Sequence, residues 1–253
     1  MRDMTWLPYC GAAPGPGEWL SRWNLDPPLL AGIVAFALLT LIRLDHWNGP
    51  DGRRRRAAAQ AALAIFAALY VSPLCALSSA FFTVRVVHHM ALVLLIAPLL
   101  AFAGEPWPAR LLRPIWLWTV AAASAFWLWH APGPYSAALS STAVYWLMQV
   151  SLLVTASGFW AAVRRAEAGT AIAAVLATTV QMGLLGALIT FSVRPLYPPH
   201  FTSAIAWGVS PLSDQQLAGV VMWAPGSFAY LLAAILIGRA WLRNGTPMRA
   251  PGA

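Results

Sequence analysis

The side chains best suited to chemistry in this sequence are histidine, methionine and cysteine, and they recur at a few places: Cys75, the run His88-His89-Met90, His130 and Met222. Together they form a soft ligand set suited to copper, above all Cu(I). Spacing constrains the set. Adjacent residues on a helix diverge by ~100°, so His88 and His89 cannot chelate one ion from a regular helix. Each position also has a plainer reading, which the residues alone favour: His88 and His89 bond to neighbouring helices, His130 caps the end of a helix stopped by Pro132, and His200 is solvated in a loop. Cys75 is then a small apolar filler and Met222 ordinary core. Arg85 reads equally as a structural anchor or a functional charge, because a guanidinium inside an apolar run needs carbonyls, an acid or an aqueous opening. Two distant cysteines, Cys10 and Cys75, form no CxxC pair, so neither a zinc knuckle nor a disulfide framework is indicated.

The elements that must position these groups are membrane helices. The chain has 253 residues, 60% hydrophobic and 9% charged, which leaves a soluble domain short of polar surface. Fourteen Trp and twenty Pro suit interface anchors and helix ends. Seven apolar stretches predict an all-α integral membrane protein, at approximately 28–44, 57–74, 81–103, 115–129, 143–163, 170–193 and 217–241. Pro98 and Pro225 fall inside two of them and should kink them, which requires neighbours that re-satisfy the freed carbonyls. The domain reading is an N-terminal periplasmic segment over 1–27, a seven-helix domain over 28–242 and a cytoplasmic tail over 243–253. The first 28 residues lack a signal-peptide pattern, so the first span is expected to act as its own insertion signal.

The net charge of +8 comes from arginine alone. Its placement argues for topology and against nucleic acid, since Arg53 to Arg56 sit between two apolar runs. Twelve arginines (Arg43, Arg53 to Arg56, Arg110, Arg113, Arg164, Arg165, Arg239, Arg243 and Arg249) fall on one side. Three, Arg2, Arg22 and Arg194, fall on the other. The split predicts an N-terminus outside and a C-terminus in the cytoplasm. Four histidines, Asp26, Cys75, Asp214, Met222 and Trp223 then collect on the outer side, with Asp214 in the loop before the last span and only His46 on the inner side. Enzyme signatures are missing: there is no pair of intramembrane carboxylates, GxSxG, HExxH or phosphate-binding glycine loop.

Motif order adds a family. Ser72-Pro73-Leu74, His89-Met90, Ala97-Pro98-Leu99-Leu100, Trp129-His130-Ala131-Pro132, Gly158-Phe159-Trp160, Asp214-Gln215-Gln216-Leu217-Ala218-Gly219 and Met222-Trp223-Ala224-Pro225-Gly226 resemble the multi-span CtaG family of cytochrome c oxidase assembly factors, as does Trp23-Asn24-Leu25-Asp26-Pro27. The resemblance implies a non-enzymatic factor of the bacterial inner membrane that assists copper insertion into the oxidase from the outer side. Its partners would be oxidase subunits and a periplasmic copper donor. It makes His89 and His130 the leading copper contacts, with Met90 and Met222 as secondary ligands and His88 and Cys75 as further candidates. Three departures stand out: Arg85 where the family has another His, Tyr145 and Gln149 where it has a second His pair, and Cys75 where it has an acid. They imply a weakened intramembrane copper site or one that draws on Cys75. The competing readings are a haem protein using His89 and His130, a copper transporter, and a metal-free scaffold of the oxidase.

Overall fold

A computed structural model describes residue 6 and residues 8–42, 50–104 and 114–243. Arg2, Arg43, His46, Arg110, Arg113 and Arg249, and the end of the expected first span, lie outside the described residues. Among the described residues the chain is helical, without strands. The helices are α1 (Pro27–Ile42), α2 (Pro50–Tyr70), α3 (Leu74–Ala80), α4 (Phe82–Ala103), α5 (Ile115–His130), α6 (Pro132–Ala138), α7 (Thr142–Val163), α8 (Ala168–Thr190) and α9 (Pro211–Arg243).

Each of the seven expected stretches coincides with helix, but not every helix has the length of a span. Four of them, α4, α7, α8 and α9, are long and apolar enough to cross a membrane, and α2 with α3 makes a fifth if that pair, bent by 51°, is one span. At 1.5 Å per residue the 16 residues of α1 or α5 reach about 24 Å, short of a ~30 Å core. Boundaries differ for local reasons. Arg53 to Arg56 lie within the first turns of α2 rather than in a loop, behind Asp51 near its N-terminus. The last helix begins at Pro211, with Ser210 Oγ accepting from the Ser213 amide, so Asp214 is helical rather than part of the loop.

Proline breaks are answered by neighbours. Pro98 follows a π-helical segment, Leu92–Ile96, in which the Val93 carbonyl accepts from Trp160 Nε1 at 2.7 Å. At the end of the same helix the Ala101 carbonyl accepts from the Arg164 guanidinium, which also lies over the Phe102 ring. Ser72-Pro73-Leu74 makes the break between α2 and α3: the Ser72 hydroxyl and carbonyl accept from the Leu74 and Cys75 amides, which places Cys75 in the first turn of α3.

Small residues set the closest helix contacts. A Cβ on Gly219 would stand 2.7 Å from the Gly186 carbonyl, so α8 and α9 meet backbone to backbone. A Cβ on Gly158 would stand 2.1 Å from the Trp118 indole, so α5 lies against α7 only because that residue is glycine. On the opposite face of α8, Leu176, Val180, Leu184 and Leu188 form an exposed apolar stripe at four-residue spacing, suited to lipid. Helix α1 is held more loosely. Between it and α2, α4 and α7 runs a groove of about 480 Å³ whose lining is apolar except for Asp26.

The bundle has two unlike ends. The start of α2 and the ends of α7 and α9 carry Arg53 to Arg56, Arg164, Arg165, Arg239 and Arg243. At the other end the N-terminal segment folds back over the helices, and Cys10 is disulfide-bonded to Cys75 with their Cα atoms 5.2 Å apart. The sequence reading without a disulfide is thus corrected. A separation of 65 residues gave no local signal, and the pairing depends on the fold of the segment. Asn24 anchors that fold: its amide nitrogens reach the Val71 and Tyr70 carbonyls at the end of α2. The Tyr9 ring stacks on Tyr145, and its hydroxyl donates to Asp26.

Candidate functional site

Helix α4 carries the expected chemistry, and its two faces meet different partners. His89 faces α5, where its Nδ1 lies 3.3 Å from Nε2 of His130, with the rings at right angles. His130 Nδ1 lies 2.6 Å from the Phe126 carbonyl, which can only accept, so that nitrogen carries the proton. It follows that His130 Nε2 accepts from His89 Nδ1, and His89 Nε2 is left buried without a partner among the described residues. His130 thus caps its helix through one nitrogen and offers the other to His89. Its own carbonyl accepts from the Tyr197 hydroxyl at 2.7 Å, which fixes the end of α5.

Arg85 stands one turn earlier on α4, between His88 and His89 in helical angle, and His88 turns toward α2. Both are enclosed, 0% and 1% exposed. Arg85 Nη1 donates to the Tyr145 hydroxyl at 3.2 Å, with its guanidinium 5.2 Å from that ring's centre. His88 lies beside the Tyr70 ring, whose hydroxyl donates to Gln149 Oε1 at 2.8 Å. The Tyr145 oxygen is 3.7 Å from Cys10 Sγ, so the phenol donates its proton toward the disulfide.

Several motifs turn out to hold this arrangement in place. Asp214 is a cap for another helix: its carboxylate accepts from the amides of Phe82 at 2.7 Å and Thr83 at 3.1 Å, the first residues of α4. Gln215 accepts from the Leu196 amide and donates to the Ile189 and Arg194 carbonyls, tying the α8–α9 loop to α9. Neither role was legible, because both partners are distant in sequence. His200, expected in solvent, is 2% exposed with its Nε2 2.6 Å from the Tyr135 hydroxyl. Burial first, and the Arg85 charge second, push its pKa down to about 3.

The expected ligands separate. His89 and His130 are brought together. Cys75 is committed to the disulfide and has no thiolate to offer in this state. His88 turns toward α2. Met90 packs with Met182 around Gly226, where a Cβ would stand 2.5 Å from Met90 Cε and 2.9 Å from Met182 Sδ. Met222 is fully buried on α9. Among the described residues no group of three or more His, Cys, Asp or Glu side chains gathers as a ready metal site. The two imidazoles nevertheless fit one ion in part. With bonds of about 2.0 Å, nitrogens 3.3 Å apart subtend roughly 110°, close to a tetrahedral edge. Binding would require His89 to move its proton from Nδ1 to Nε2.

Residues 35–244 match the family model of the cytochrome c oxidase caa3 assembly factor (Caa3_CtaG). The chain belongs to this family. The match takes in α2 to α9 and leaves Cys10 outside it. Comparison with curated proteins and with solved structures gives no match. As a CtaG-family oxidase assembly factor, the chain is expected to meet the oxidase while its helices lie in the membrane, and the exposed stripe of α8 belongs to that setting.

Proposed function

We propose that this factor receives copper and hands it to cytochrome c oxidase at the outer face of a bacterial inner membrane, with no reaction of its own. The observation that carries the reading is the pairing of His89 with His130 across α4 and α5 near the arginine-poor end. Neutral imidazoles are good ligands for copper, and a site with two protein nitrogens keeps positions open for a donor or acceptor ligand, as transfer demands. Met90 and Met222 serve as secondary soft ligands that reach the ion by rotamer changes.

In this reading the helices cross the membrane seven times, with α1 and α5 short enough to need local thinning of the bilayer. The N-terminus is outside and the C-terminus cytoplasmic. Twelve arginines against three support that orientation. So does the disulfide at the arginine-poor end, because such bonds persist in the periplasm and not in a reducing cytosol.

The test is anaerobic Cu(I) loading of the purified protein in detergent, with copper per chain read by mass spectrometry for wild type, His89→Ala, His130→Ala and Cys75→Ser. About one copper per chain in wild type and in Cys75→Ser, lost in both histidine variants, is the expected result. No copper retained by wild type would make the protein a metal-free docking partner of the oxidase. A haem Soret band in the purified protein would shift the reading to a redox carrier.

A further inference from the structure

Among the described residues Arg85 is a charge without a counter-ion. It is fully enclosed, 0% exposed, one turn into an apolar helix. Among the described residues it forms no ion pair; the one recorded, Arg22 with Glu18, is at the surface. The two acids nearest this end are engaged elsewhere, Asp26 with Tyr9 and Asp214 with the amides of Phe82 and Thr83. The described groups that face the guanidinium, Tyr145, Tyr135, Tyr70, His88, His89 and His200, are neutral or weakly acidic, and none is a carboxylate. Taking an ion out of water costs several kcal/mol unless a partner returns it.

The hydrogen bonds tell the same story. Among the described residues Arg85 uses Nη1 on Tyr145 and also interacts with the Tyr135 hydroxyl, while its Nε and Nη2 have no acceptor within hydrogen-bond distance. Among the same residues neither nitrogen of His88 has a partner at that distance, nor does Gln149 Nε2, although that side chain also interacts with the Tyr145 hydroxyl. Apart from the lone-pair nitrogen of His88 these groups are donors, and they lie on adjoining helices. Arg85 and His88 are three apart on one face of α4, Tyr145 and Gln149 four apart on one face of α7, and Tyr70 of α2 joins the two helices by its bond to Gln149 and its contact with His88. The cluster is therefore a set of buried N–H groups around one positive charge with too few acceptors. Water would serve the donors but leave the charge.

We propose that Arg85, His88 and Gln149 bind a small monovalent anion of the halide class, chloride under ordinary conditions. Arg85 Nε and Nη2 donate to it from α4, and the His88 ring N–H and Gln149 Nε2 donate from either side. The enclosing residues are all 2% exposed or less, which suits a monatomic ion better than a phosphate or carboxylate. The site neutralises the guanidinium and ties α4 to α7 and α2. It does not depend on the copper reading, since it uses neither His89 nor His130.

The test uses bromide as the probe. Wild-type protein in detergent is equilibrated in sodium bromide, desalted into sodium gluconate, and its bromide measured by mass spectrometry beside a thermal unfolding curve taken across a bromide titration. About one bromide per chain and a saturable rise in Tm are expected, both lost in Arg85→Met. Gln149→Leu, which keeps the charge, should fold even where Arg85→Met does not, and should weaken the bromide midpoint about tenfold by removing one donor. Absence of retained bromide and of any saturable shift in wild type, or a midpoint unchanged in Gln149→Leu, would overturn the proposal.

Discussion

Two neighbouring residues of one helix, His88 and His89, lie in opposite chemical environments. His89 meets His130, and the chain of bonds from the Phe126 carbonyl runs through both imidazoles and ends at His89 Nε2, which has no partner among the described residues. His88 lies beside Arg85, where donors outnumber acceptors and no acid among the described residues balances the positive charge. One histidine of the pair thus finds a neutral imidazole to bond, and the other borders a buried charge. Their side chains leave the helix ~100° apart, with Arg85 between them one turn earlier.

The largest effect should come from the charged environment. Tyr145→Phe keeps the ring beside Arg85 but removes the hydroxyl that accepts from its Nη1, and should destabilise the protein by about 3 kcal/mol, measured by reversible unfolding in mixed micelles. A loss under about 0.5 kcal/mol would mean the guanidinium has another acceptor, and the contrast between the two environments would fall. Next comes the neutral pair. Gly158→Ala forces Trp118 away and should cost about 2 kcal/mol, while loosening α5 against α7. If the histidine pair depends on that packing, copper retention should drop in this variant although neither histidine is touched.

Over the single unit from pH 6 to pH 5, the smallest effect is a pH dependence at His200, beside Tyr135. His200 is neutral when folded, with its pKa near 3 against about 6.5 unfolded, so the unfolded chain binds the proton first as pH falls. Its contribution to stability is therefore intact above pH 6.5 and is lost as pH falls from about 6.5 toward 3, by at most about 1.4 kcal/mol per pH unit. The His200→Phe variant should lack that part of the acid sensitivity. Equal slopes for the two proteins between pH 6 and pH 5 would show that His200 titrates normally.

The three departures from the family pattern read differently in space. Arg85, the pair Tyr145 and Gln149, and Cys75 lie at scattered positions in the sequence, yet Arg85 bonds Tyr145, Tyr145 touches the Cys10–Cys75 disulfide, and Gln149 lies one turn further along α7. A set of separate losses becomes one substituted cluster on one face. Asp214 and Gln215 similarly passed from a polar loop to a helix cap and a loop tie.

The helical character of the chain, the places of its seven apolar stretches and the family were all legible in the sequence. Composition, proline punctuation and motif order are local and survive without coordinates. It took the fold to show which neighbour each histidine of α4 meets, that His89 pairs with His130, that Cys10 reaches Cys75, that His200 is buried and that among the described residues Arg85 stands without an acid. Those are facts about pairs of residues distant in the chain, and a linear pattern holds no record of which helix faces which.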